Sequence, residues 1–220
     1  MIQDFLEGLF VPTTTHKPGA YLFILSAIAA VVWVVAAMAP VSRSAWALEN
    51  ILLFVGVAWL ILTYAAWPLS NTSYTLVFVF LVLHVVGSHY TYSLVPFGDW
   101  LRPIFGQERN AYDRLLHLLF GFLLFLPWRE TCERAMGLRR SQAALVAVLI
   151  ISSISAAYEI IEWVTAELVD PTDAMDYIGA QGDFFDAQKD MALAFMGAAA
   201  AVLLQYAFST VRYAWSRRFP

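Results

Sequence analysis

The sequence predicts an all-α integral membrane protein: a single bundle of about six transmembrane helices, with residues 1–220 forming one domain. Three features carry that prediction. The chain is 60% hydrophobic and only 14% charged, with a mean hydropathy of +0.66, far from the usage of a soluble domain. Its apolar residues gather into six runs of lipid-crossing length, about 17 to 25 residues each. Eight Trp, ten Tyr and sixteen Phe supply interfacial anchors and packing bulk.

The elements follow in chain order. Ile2, Phe5, Leu6, Leu9 and Phe10 recur at helical spacing with Asp4 and Glu7 between them, the pattern of a short helix lying on the membrane surface. A frayed terminus fits the same residues. The segment lacks the basic start and immediate apolar core of a cleavable signal peptide, so it is expected to be retained. The spans are placed at residues 21–39, 47–67, 74–92, 112–128, 142–165 and 185–208. Pro40, Pro68, Pro96 and Pro127 stand at the ends of the first four, where a missing amide and the restricted preceding residue close a helix. No internal repeat and no long linker divides the chain. Cys132 is the one cysteine, which excludes an intramolecular disulfide.

Orientation is read from the basic residues. With the N-terminus cytoplasmic, Lys17, Arg129, Arg134, Arg139, Arg140, Arg212, Arg217 and Arg218 lie inside. Arg43, Arg102, Arg109, Arg114 and Lys189 lie outside. The richer basic loop is then inside, and both termini are expected in the cytoplasm.

Under this topology ionisable groups from four spans reach one stratum of the outer half. Asp113 and His117 stand at i and i+4 on the fourth span, on one face, with the histidine one turn deeper. Glu159 and Glu162, at i and i+3, face one direction near the end of the fifth. Asp183, Asp186 and Asp190 share a face at the start of the sixth if that stretch is helical. His84 and His89 end the third span, about 140° apart around its axis, so a regular helix cannot bring both to one ion. His89 is the better ligand candidate, and His84 reads as a packing histidine. Carboxylates inside an apolar run cost several kcal/mol at the bilayer centre, about 2.5–3.5 on insertion scales, and so mark function or pairing. Arg102, Arg109, Arg114 and Lys189 are the available partners. Asp183, Glu167, Asp170, Asp173 and Asp176 read as a solvated rim, and Arg129 and Glu130 are expected to pair within the arginine-rich inner loop.

Carboxylates and imidazole from several helices form the ligand set that a bundle uses for Zn, Mn or a di-iron centre. HExxH and Glu-x-x-His motifs are missing, and Glu159 with Glu162 supplies only half of the usual di-iron spacing. A G-x-S-x-G turn and a phosphate-binding glycine loop are missing as well.

The segments HYTYSLVPFGDWL, RNAYDRLLHLLFGFLL, YEIIEW and GAQGDFFDAQKDM resemble those of the bacterial inner-membrane YjdF family, over roughly residues 84–200. That resemblance implies a multi-span inner-membrane protein and no established reaction. Asp113 with His117, Glu159 with Glu162, and Asp186, Asp190 and Gly197 are also similar, more loosely, to the pattern of VanZ-like proteins. Arg114 stands where that group carries lysine, and Glu162 where it often carries glutamine. This second likeness implies lipid-linked or cell-envelope chemistry by analogy.

The first functional expectation is a membrane-embedded, metal-dependent hydrolase or transferase acting on a lipid or lipid-linked envelope molecule. Asp113, His117, Glu159, Asp186 and Asp190 would hold one or two divalent ions, with Glu162 or His89 as general base and Arg109 and Arg114 on an anionic head group. A second is a cation- or proton-coupled transporter or lipid-handling protein; prolines at helix ends rather than mid-membrane speak against it. A third is a non-catalytic assembly factor whose acids pair with arginines. The expected partners are the lipid bilayer and such a substrate, and not nucleic acid.

Overall fold

The structure, a computed structural model, describes residues 19–105, 109–169 and 181–218. The interfacial helix expected before residue 19 and the rim acids Asp170, Asp173 and Asp176 lie outside the described residues. Six long helices, α1 (Gly19–Ala37), α2 (Arg43–Thr63), α3 (Asn71–His89), α6 (Tyr112–Met136), α7 (Arg140–Leu168) and α8 (Asp186–Arg218), are joined by short connections. Two short helices, α4 (Pro96–Trp100) and α5 (Arg102–Phe105), lie between α3 and α6. Each long helix has the length and hydropathy to cross a membrane, α8 over Asp186–Phe208. No strand occurs among the described residues. The six expected spans are all present, with most ends displaced by a few residues and the fourth and sixth helices running on to Met136 and Arg218.

Local chemistry sets most ends. Ser42 and Ser70 cap α2 and α3 by accepting from the amides of Ala45 and Ser73 at 3.4 and 3.1 Å. Pro40 and Pro68 follow α1 and α2 as expected, whereas Pro96 opens α4, where its missing amide costs nothing. Pro127 corrects the sequence reading: it lies inside α6, which runs on to Met136 and stops at the left-handed Gly137 (φ +62°). The polar continuation stays helical because its side chains bond along it. Thr131 Oγ1 donates to the Pro127 carbonyl at 2.9 Å, Arg129 lies 3.3 Å from Glu133, and Glu130 accepts from Ser70 Oγ at 2.7 Å and from its amide at 2.8 Å. Arg129 and Glu130 thus join a separate polar knot at the far end from the other acids.

The centre of the bundle is the crossing of α6 and α8, the most extensive helix contact. A Cβ on Gly121 would meet the Ala194 carbonyl oxygen, and one on Gly197 would meet that of Leu118, so the two backbones touch. Ala194, Ala198 and Ala201 line the seam, with Ala147 and Ile151 of α7 and Phe125 of α6 packed beside it. With no hydrophobic drive between helices in lipid, such close backbone approach is what holds them together. Gly121→Ala is therefore expected to destabilise by about 1–3 kcal/mol through overpacking. Thermal unfolding in detergent measures it, and an unchanged midpoint would contradict the crossing described.

α3 packs on α6 through Phe80, Leu83 and Val86, which lie against buried Tyr92, Val95, Tyr112 and Leu116. The turn after α3 holds Thr91 and Tyr92 at φ +55°, a conformation costing non-glycine residues about 1–3 kcal/mol each. Burial offsets that cost: Tyr92 folds back against Gly87, and its hydroxyl meets His84 Nδ1 at 2.6 Å. α1 is peripheral, with no buried residue, and joins α2 through the Trp33–Asn50 hydrogen bond at 2.6 Å.

Candidate functional site

The end of the bundle where α6 and α8 begin and α7 finishes carries the ionisable cluster. Asn110 fixes the approach to α6. Its side-chain amide donates to the Val95 carbonyl and to Asp99, its carbonyl oxygen accepts from the Tyr112 amide, and its backbone pairs with the Gln181 side chain in both directions. The strands of loop leading into α6 and α8 are thereby tied together, so the first turns of both helices lie side by side.

From that junction Asp113 and His117 of α6 point at α7 and α8. His117 Nε2 lies 3.6 Å from Asp113 Oδ1 and 3.5 Å from Glu159 Oε1. Ligand atoms of Asp113, His117 and Asp190 lie within 4.8 Å of one another, a separation that a single cation can bridge. Asp190 is 2% exposed, and its Oδ1 accepts no hydrogen bond from the described residues; the same holds for Glu159 Oε1. Buried carboxylate oxygens are ordinarily satisfied, which makes the Asp190 oxygen the one to account for, since Glu159 Oε1 has His117 Nε2 at 3.5 Å. The Tyr158 ring stands edge-on to His117 with centroids 5.9 Å apart, which fixes the imidazole plane.

By helical rise, His117 sits roughly 8 Å and Asp190 roughly 6 Å into their helices, at similar depths. Glu162, one turn from Glu159, lies within electrostatic reach of Asp113, Glu159 and Glu49 and within hydrogen-bonding reach of Tyr158.

Other expected site residues are placed differently. Asp186 is taken by Arg109 Nη1, with Arg114 Nη2 at 3.4 Å, and so stands as an ion-pair partner beside the three-residue group. Arg109 also lies 3.7 Å from Asp113, and Arg114 bonds Asp183. Both guanidiniums are buried and bonded to aspartates, the pairing that the sequence offered beside the anionic head group. The Nδ1 of His89 meets the Ala36 carbonyl at 2.8 Å and its ring packs on Tyr90, and none of its described contacts is with the acids. His84 bonds Tyr92, the packing role expected of it. Arg102 pairs with Asp99 at 2.7 Å, and Glu167 is exposed.

Glu49 was not singled out from sequence. It is 3% exposed on α2, and its Oε2 accepts from the Tyr158 hydroxyl at 2.8 Å, which adds a fourth helix to α6, α7 and α8 in the polar cluster. The usable signal was a lone acid in the apolar run ALENILL.

Asp183, just ahead of α8, is held well below the usual carboxylate range, first by Lys189 Nζ at 2.6 and 2.9 Å and then by Arg114. Its pKa is depressed on folding, so its stabilisation is complete above the ordinary value of 3.8 and is lost as pH falls below it. The melting-point difference between wild type and Lys189→Met is expected to be constant above about pH 4 and to shrink below it. A difference that grew on acidification would contradict this pairing.

A family model described as "Predicted membrane protein (DUF2238)" matches residues 21–210, which include every described site residue. The inner membrane protein YjdF of Escherichia coli (strain K12) is 37% identical over 159 residues, 72% of this chain and 76% of that relative. No solved structure matches.

Proposed function

We propose, for a chain that belongs to the DUF2238 family of membrane proteins, that the group of Asp113, His117 and Asp190 is a divalent-cation site. In this reading it serves an inner-membrane enzyme acting on a lipid or lipid-linked envelope substrate. The observation that carries the reading is the meeting of one imidazole and two carboxylates within 4.8 Å, with Asp190 buried and one of its oxygens unsatisfied. The inner membrane is the location named for the Escherichia coli relative. The distribution of basic residues supports cytoplasmic termini and an extracytoplasmic site.

Two carboxylates and one imidazole suit Zn²⁺, Mn²⁺ or Fe²⁺. A bound ion of this kind supplies Lewis acidity, lowering the pKa of a water and polarising an ester or phosphoester oxygen. Glu159, 3.5 Å from His117, stands beside the three ligand candidates, and Glu162 one turn further on would serve as general base. In hydrolysis Glu162 would take a proton from the attacking water, whose hydroxyl joins the acyl or phosphoryl group, and would return that proton to the departing oxygen. Asp186, Arg109, Arg114 and Asp183 hold the frame around these groups.

The test is elemental analysis of protein purified without added chelator. Roughly one equivalent of a divalent transition metal is expected, and a folded protein that neither retains nor takes up Zn²⁺, Mn²⁺ or Fe²⁺ would overturn the reading.

A further inference from the structure

A cavity of about 510 Å³ runs between α2, α3, α6 and α7 from Asp113, His117 and Tyr158 at one end to Pro127 and Trp128 at the other. Along α6 that is roughly 22 Å. Beyond its polar end the walls are almost wholly apolar. Its outer boundary is thin. α2 packs on α3 but makes no backbone-level contact with α6 or α7 among the described residues.

Only side chains bridge that gap. Near the polar end Tyr158 donates to Glu49 at 2.8 Å, and near the apolar end Trp59 lies on Trp128 with centroids 4.9 Å apart. Between these bridges α2 runs for about 15 Å, and the flanking Val55 and Ile161 are exposed on the surface that faces lipid. A Cβ on Gly56, which lines the cavity, would meet nothing within 4 Å.

We infer that the gap between α2 and α7 is a lateral doorway, and that the cavity behind it receives one acyl chain of a bilayer phospholipid with its polar end at Asp113 and His117. Three features select that occupant. The cavity is continuous with the lipid-facing surface, so a chain enters without crossing water. Its walls are almost wholly apolar beyond the polar end, Ser155 and two indoles apart, and so match a hydrocarbon better than a peptide backbone. All its charge lies at one end, as an amphiphile requires. The Glu49–Tyr158 hydrogen bond closes the doorway on the head-group side. The inference rests on the reading of Asp113, His117 and Asp190 as the working centre.

A phosphatidylethanolamine carrying a diazirine in one acyl chain is the probe. After photolysis in liposomes containing the full-length protein, labelled residues are mapped by mass spectrometry, and bound metal is measured on the same samples. Labelling is expected to concentrate on residues 52–60 and 154–161. It should fall about tenfold in Gly56→Phe and in Ala157→Phe, which fill the cavity from opposite walls, and stay unchanged in Leu62→Phe on the outer face. Either filled variant suffices if the other does not fold. Labelling spread evenly over the lipid-facing helices, or insensitive to both fillings, would overturn the doorway. Metal content is read separately: metal lost with cavity labelling intact sinks the catalytic reading and spares the chain site, and the reverse result sinks only the chain site.

Discussion

Replacing His117 with alanine is expected to lower the affinity of the site for Zn²⁺ or Mn²⁺ by about 100-fold or more. Losing a partner behind a ligand already costs about 10–100-fold in metalloproteins, and losing the ligand itself costs at least the upper end. A factor of 100 corresponds to about 2.8 kcal/mol. His117 supplies the one imidazole of the group, and its ring is held by Tyr158 on one side and by the reach of Asp113 and Glu159 on the other. Asp190→Asn is expected to act in the same direction while keeping side-chain volume. Competition titration with a chelating dye measures both. Because carboxylate and imidazole ligands bind metal only when deprotonated, the affinity should fall as the medium is acidified. Equal affinities for wild type and His117→Ala would show that any bound metal sits elsewhere.

Breaking the arginine framework is expected to have the largest effect on stability. Arg109 and Asp186 have side chains only 4% and 10% exposed and are bonded to each other. Removing one partner of such a buried pair costs about 3–5 kcal/mol, because the other charge is left without its counterion. Arg109→Met is therefore expected to lower the melting temperature by roughly 10 °C, taking about 2–4 °C per kcal/mol for a chain of this size. Arg114, 3.4 Å from Asp186, softens the loss. The double variant Arg109→Met, Asp186→Leu should recover at least half of it, since an apolar pair of similar volume replaces an ion pair at little cost. Additive losses in a double-mutant cycle would mean that the two side chains act independently.

The spans were legible because lipid permits so few alternatives: a chain crossing hydrocarbon must satisfy its backbone within itself, which forces long apolar helices. Asp113 and His117 were legible because helical spacing alone puts them on one face. Their meeting with Asp190 depended on α8 lying against α6, and the glycines and alanines of that seam record the crossing without stating its register. Glu49 escaped because its partner, Tyr158, lies 109 residues away and no local pattern joins them. Pro127 misled because an apolar run ends beside it, although ion pairs carry the helix two turns further. The partner of His89 was not legible either: nothing in LHVVGSHYTY reveals that Ala36 presents a carbonyl to it. Charge type was readable throughout, whereas the choice of counterion for Arg109 and Arg114 was a matter of tertiary geometry.

On the proposed reading of Asp113, His117 and Asp190 as a cation site, the backbone contact at Gly121 and Gly197 would bear on ion choice. Gly121 lies one helical turn beyond His117, and Ala194, which it touches, lies one turn beyond Asp190. The crossing acts as a caliper: the spacing between imidazole and carboxylate is set a full turn away. Preference for a small or a large cation would then be retuned by thickening the hinge of the caliper while its jaws keep their chemistry.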